Sequence, residues 1–315
     1  MKLENTNLFL REDGRLRVGW RFVLAAFVNY LAMFLAGTFA ATVAGNHQAL
    51  EETIYRSLMV VLLLFAFLGM TRVFDQPQGS AWAYIGLPRR NWLRQWLRGA
   101  VLGFVLVFVA VIVSAVFFNY HITKIVVSPR TIAWPLAVAF VLLCGALGEE
   151  LMFRGYPFQR LVEGVGKAGA IVALSALFGA LHLGNPHISD SRAVHVFAFI
   201  NTLLIGVVFA VAYLRTRALW LPWGLHFSWN YTMGLIFGLP VSGITAFSLL
   251  IRARMQGPAW FLGGGYGLEG GFLGTLSSLL GLVYVGFLMP STAPDGAPSQ
   301  LDETAGKSIQ PTEKA

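Results

Sequence analysis

WPLAVAFVLLCGALGEELMFR, Trp134 to Arg154, is the stretch that decides how this chain folds. Up to Leu147 it carries no charge. Glu149 and Glu150 then stand side by side, and Arg154 follows Glu150 at i+4. An apolar run of this kind reads as a membrane-spanning helix. An ionisable group at mid-bilayer costs about 2.5–3.5 kcal/mol on insertion scales, so three in one span point to a role beyond packing. Residues i and i+4 share a helix face, so Glu150 and Arg154 can pair, which offsets much of the cost of burying both. Glu149 lies about 100° round the helix, because a turn takes about 3.6 residues. Phe153 occupies its i+4 position, which leaves Glu149 with no cation on its own face. Such a carboxylate suits general base or acid work.

The rest of the chain agrees with a membrane setting. Of 315 residues, 56% are hydrophobic and 12% charged, with a mean hydropathy of +0.65. Soluble domains carry about 25% charged residues. The net charge of +8 does not indicate nucleic acid, because the basic residues lie between apolar spans and not on one motif or face. The single cysteine, Cys144, excludes an intrachain disulfide and cysteine-based metal sites. It reads as a small hydrophobe within its helix. The first apolar run, Trp20 to Val43, is too long for a signal-peptide core and is expected to stay as a helix.

A span needs about 20 apolar residues. By that rule the chain is an all-α polytopic transmembrane helix bundle with about eight spans. They run over residues 20–43, 54–74, 97–119, 133–160, 168–184, 195–214, 219–238 and 272–290. Sixteen Lys and Arg residues fall on the side of the termini and six on the other, which predicts cytoplasmic termini. The organisation expected is a basic cytoplasmic arm (1–19), a transmembrane domain (20–290, motif core 133–238) and a disordered cytoplasmic tail (291–315). In the connection 72–98, Trp82, Tyr84, Trp92 and Trp96 alternate with arginines, a pattern suited to the headgroup layer. The connection 239–271 contains Gly263-Gly264-Gly265-Tyr266-Gly267, without the Lys-Ser/Thr of a phosphate loop. It is expected to be a flexible non-cytoplasmic loop or a re-entrant segment.

Two histidines fall inside spans. His182 follows Phe178 in the fifth, and His226 precedes Asn230 by four residues in the seventh. A lone intramembrane histidine often only bridges helices. Two of them, with Asn230 and a charged triplet on other helices, point to one convergent polar centre. Asn201 in the sixth span is a weaker polar candidate, and the remaining histidines read as surface residues.

Glu149-Glu150-x-x-x-Arg154, Phe178-x-x-x-His182 and His226-x-x-x-Asn230, in this order on separate spans, resemble the motifs of the CPBP family of intramembrane proteases. That family includes the CAAX prenyl endopeptidases and bacterial Abi proteins. The flanks Gly14-Arg15-Leu16-Arg17-Val18-Gly19-Trp20, Ile85-Gly86-Leu87-Pro88 and Gly238-Leu239-Pro240-Val241-Ser242-Gly243 are similar to bacterial members, which implies a bacterial inner membrane. The resemblance implies hydrolysis of a peptide bond in a membrane-embedded or lipid-modified peptide. Its partners would be a membrane peptide or protein and the lipid bilayer. Glu149, Glu150, Arg154, His182, His226 and Asn230 are the implied catalytic set. Glu149 would activate water, helped by His182, while His226 and Asn230 would stabilise the oxyanion. The other wiring uses a divalent metal such as zinc, held by Glu149, His182 and His226 with an open water position. No His-Glu-x-x-His decides between them. A non-enzymatic membrane immunity or scaffold protein of the same fold is the alternative function.

Overall fold

The computed structural model describes residues 7–290 except Glu12, Gln78, Arg130 and Asp190, so the expected tail (291–315) lies outside the described residues. The apolar spans form a helix bundle. Its helices are α1 (Val18–Ala44), α2 (Gln48–Met70), the short α3 (Ala81–Tyr84), α4 (Trp92–Phe117), α5 (Trp134–Arg154), α6 (Tyr156–Leu181), α7 (Arg192–Thr216), α8 (Trp220–Tyr231), the short α9 (Ala259–Leu262) and α10 (Phe272–Val283). α2, α8 and α10 each continue into a π-turn. All eight expected spans therefore have a helical counterpart. Five helical stretches are long and apolar enough to cross a membrane, with Trp134–Gly184 counted as one of them. Large apolar side chains such as Phe34, Phe65, Val101 and Leu136 face outward, as hydrocarbon surroundings require.

The fourth expected span, 133–160, is not continuous. α5 ends at Arg154, and Gly155 turns the chain out of helical geometry before Pro157 opens α6. A Cβ on Gly155 would stand 2.4 Å from the Leu151 carbonyl oxygen, so the bend takes a residue without a side chain. A second break, at Gly166 (φ +80°), divides α6 into a short first limb and a long second one. The first limb carries Arg160 and Glu163 at the end of the bundle where α1 begins and α2 ends.

Glycines set how closely the site-bearing helices pack. Cβ atoms on Gly99 and Gly224 would each stand 2.1 Å from a backbone oxygen of the facing helix, Leu221 and Trp96 respectively. Thus α4 and α8 meet backbone to backbone, as small residues allow where no hydrophobic effect drives helices together. Gly145 and Gly148 instead leave notches in α5 that receive the Arg56 and Met59 side chains of α2.

Both long connections depart from expectation. In 72–98, Trp82 and Trp92 stay exposed, but Ile85 and Leu87 are buried. The Gly86 and Pro88 carbonyls accept hydrogen bonds from Leu219 N and Trp220 Nε1 (2.7 Å each), so this segment braces the α7–α8 turn. The 239–271 connection is ordered. Its strand β2 (Ile251–Gln256) pairs antiparallel with β1 (Asn119–Ile125), in register Asn119↔Gln256 to Ile125↔Ile251. This small ladder is the one sheet among the described residues.

Candidate active site

The charged end of α5 is held by α6, α7 and α8. Glu150 and Arg154 are 0% and 1% exposed. Arg154 Nη1 donates to Glu150 Oε1 (3.3 Å), and Nη2 donates to the Gly206 carbonyl of α7 (3.0 Å). The guanidinium lies 4.7 Å from the Phe178 ring centroid and 5.0 Å from that of Phe209. A counterion, a carbonyl and two aromatic faces thus surround a cation that has lost its water. Gly206 makes this possible, because a Cβ there would press on Arg154 Nη2 at 3.2 Å.

His226 links the two carboxylates. Its Nδ1 lies 2.9 Å from Glu150 Oε1, and its Nε2 lies 3.7 Å from Glu149 Oε2. Phe209 stacks on the ring at 4.8 Å between centroids and 20° between planes, which fixes the plane of the imidazole. With Glu150 ionised, Nδ1 carries hydrogen and donates to it, and Nε2 is aimed at Glu149. Glu149 itself is 29% exposed, on the wall of a cavity of about 250 Å³. Among the described residues its Oε2 has no hydrogen-bond partner.

His182, Asn230 and His226 line that same cavity. His182 opens a 3₁₀ turn directly after α6, in the last residues of the apolar helical stretch that closes at Gly184. Its Nδ1 lies 2.7 Å from the Phe178 carbonyl, so Nδ1–H donates there and Nε2 is left as an acceptor. The Asn230 side chain makes no hydrogen bond to another described residue and is half-buried. Four of the six expected residues therefore share one cavity, and Glu150 and Arg154 stand behind its wall. The metal wiring fits less well. Among the described residues, no group of three or more His, Cys, Asp or Glu side chains is placed to hold a metal ion, so Glu149, His182 and His226 do not form a ligand set.

Sequence reasoning missed a second buried acid at this cavity. Glu269, from the glycine-rich connection, is 6% exposed and lines the cavity. Its Oε1 accepts from Trp229 Nε1 (2.9 Å), next to Asn230, and its Oε2 accepts from Ser242 N (2.8 Å) and Oγ (2.5 Å). Asn201 of α7, the weak polar candidate, positions it by donating to the Glu269 and Gly271 carbonyls (2.8 Å each). Nearby Tyr266 has its hydroxyl pKa pushed up, chiefly by burial and then by the Glu269 charge. Arg56, from the first turns of α2, also reaches this cavity while paired with Glu52 (2.8 Å). The signals in the sequence were an acid inside a glycine-rich run and an arginine at the edge of a span. Glu269 has no helical partner spacing to mark it, whereas Arg56 has Glu52 at i−4, which reads as an ordinary ion pair on one helix face.

Residues 131–232 match the family described as Type II CAAX prenyl endopeptidase Rce1-like. No curated protein matches the chain. The matched stretch runs from the approach to α5 through α8 and contains all three motifs, while Glu269 lies beyond it. That match supports CAAX-type protease activity in general, in a protein whose apolar helices make it a multi-pass membrane protein. Over residues 131–232 the chain is thus similar to the CAAX-type endopeptidases, and its three motifs fall inside that stretch.

Proposed function

We propose that this protein is an intramembrane endopeptidase that hydrolyses a peptide bond of a membrane-embedded or lipid-modified peptide with a glutamate-activated water. The observation that carries the reading is the placement of His226 between two unlike carboxylates, one buried and paired, the other on a cavity wall. Water is a poor nucleophile and needs a base within hydrogen-bond reach. Glu149 is that base, and His182 Nε2 accepts the second hydrogen of the water and orients it. As the water attacks the carbonyl carbon, its proton passes to Glu149. The carbonyl oxygen becomes an oxyanion that accepts from His226 Nε2–H, in the doubly protonated ring, and from the Asn230 amide. Glu149 then returns the proton to the leaving nitrogen. Glu150 and Arg154 touch no substrate: they hold the His226 ring and the end of α5.

The protease domain is residues 20–290, with both termini in the cytoplasm and the substrate drawn from the bilayer. The test is cleavage of a reporter peptide by purified protein in proteoliposomes. Glu149→Ala, His182→Ala and His226→Ala should each reduce turnover by about 10²-fold or more, the range for a lost general base or oxyanion donor. Wild-type turnover in Glu149→Ala would reject the mechanism, and the alternative of a non-enzymatic scaffold would then gain ground.

A further inference from the structure

A second and larger cavity, of about 910 Å³, lies at the opposite pole from Ser242 and Glu269, where α1 begins. We propose that it binds a phosphate ester, supplied by the headgroup of an acidic phospholipid. The cavity has two layers. Its floor is a buried quartet: Arg21 of α1, Asp75 at the end of α2, and Arg160 and Glu163 on the first limb of α6. Arg160 pairs with Glu163 at 2.8 Å and with Asp75, Arg21 pairs with Asp75, and Tyr84 accepts from Arg160 Nη2 at 2.9 Å. Two cations and two anions leave the floor neutral and preformed.

The rim is not neutral. Arg11, Arg15 and Arg17 line it, with Asp13 beside them and the floor acid Glu163 within electrostatic reach of Arg11. Arg17 Nε is used by the arm itself, donating to the Asn7 and Leu10 carbonyls and shaping the turn in which Leu10 and Leu16 pair. Arg11 and Asp13 are loosely paired at 4.0 Å. Among the described residues the Arg15 guanidinium has no partner. An excess of positive charge around a cavity of ligand size, about 300–1,000 Å³ being usual, suits an anion.

The lip of the cavity selects the source of that anion. Trp20 and Val23, 42% and 54% exposed, stand at its edge and begin the outward apolar face of α1. Phe9 of the arm stacks on Trp20 at 5.0 Å, and Leu8 is 76% exposed beside them. A soluble phosphate has no use for an apolar lip, whereas acyl chains descending from a headgroup would lie against it. Basic pockets at the ends of spanning helices hold acidic headgroups in this way. Topological signalling by Lys and Arg accounts for the charge count, but not for a cavity closed by an ion-paired floor.

The test is lipid binding to the full chain in detergent, followed by native mass spectrometry, with phosphatidylglycerol, phosphatidylcholine and glycerol 3-phosphate as probes. Phosphatidylglycerol should bind in preference to phosphatidylcholine, and the Arg11→Gln/Arg15→Gln double variant should weaken it about tenfold or more. Arg89→Gln/Arg90→Gln removes the same charge away from the cavity and should leave binding unchanged. Glycerol 3-phosphate at equal concentration should not displace the lipid, and displacement would overturn the lipid as the source. Equal binding of phosphatidylglycerol by wild type and Arg11→Gln/Arg15→Gln, or an equal loss in the Arg89→Gln/Arg90→Gln control, would overturn the site.

Discussion

Glu149 and Glu150 are neighbours in sequence with opposite fates. Helical spacing alone separates them by about 100°, and Arg154 at i+4 marks Glu150 as the paired one. The pair is present at 3.3 Å, and Glu149 faces the cavity. The two should therefore fail differently. Glu149→Gln should retain the thermal midpoint of wild type and lose about 10²–10⁴-fold in turnover. Glu150→Ala leaves the Arg154 guanidinium buried with an aromatic sandwich but no counterion, and should destabilise by about 3–5 kcal/mol, read as a lowered midpoint in a detergent melt. Equal midpoints for Glu150→Ala and wild type would show that the pair is not structural. His226 could be nominated from sequence, but its contact with Glu150 could not. Nothing in the spacing of residues 150 and 226 says that their helices touch.

At the scale of elements, glycine does what hydrophobic burial does in water. The α4–α8 contact rests on Gly99, Gly103 and Gly224, which face backbone atoms of the partner helix. Gly224→Val would place its Cβ 2.1 Å from the Trp96 carbonyl oxygen and should push α8 away, moving His226 and Asn230 with it. The expected loss is about 1–3 kcal/mol or more of stability together with activity, while Gly286→Ala, with open space around it, should change neither. Gly155 is a different case: it breaks an apolar run that reads as continuous, because apolar periodicity does not register a single turn of backbone. The connection 239–271 is the largest departure. It looked like loop, yet it supplies Glu269 to the cavity. Glu269→Ala leaves the Trp229 and Ser242 donors buried without an acceptor and should cost about 1–3 kcal/mol for each. Glu269→Gln keeps one acceptor, so its thermal midpoint should lie between those of Glu269→Ala and wild type.

At the scale of the molecule, the two cavities sit toward opposite ends of one bundle. On the proposed orientation, with both termini in the cytoplasm, the cavity lined by Arg11 and Arg15 lies on the cytoplasmic side and the border formed by Ser242 and Phe247 faces the other side. In a Cys144→Ala background, Thr245→Cys should react with an impermeant maleimide on intact cells, and Ser80→Cys only after permeabilisation. The reverse pattern would invert the topology. The eight apolar segments, the polar residues within them and the i+4 pair were determined by sequence alone, because hydrocarbon leaves few ways to place a charge or an unpaired backbone group. Tertiary structure alone decided that His226 bridges Glu149 and Glu150, that α5 stops at Gly155, and that Glu269 returns to the site from a connection. Those facts depend on which helix faces which, and that is set by close glycine contacts and long-range hydrogen bonds that leave no periodic trace in a single chain.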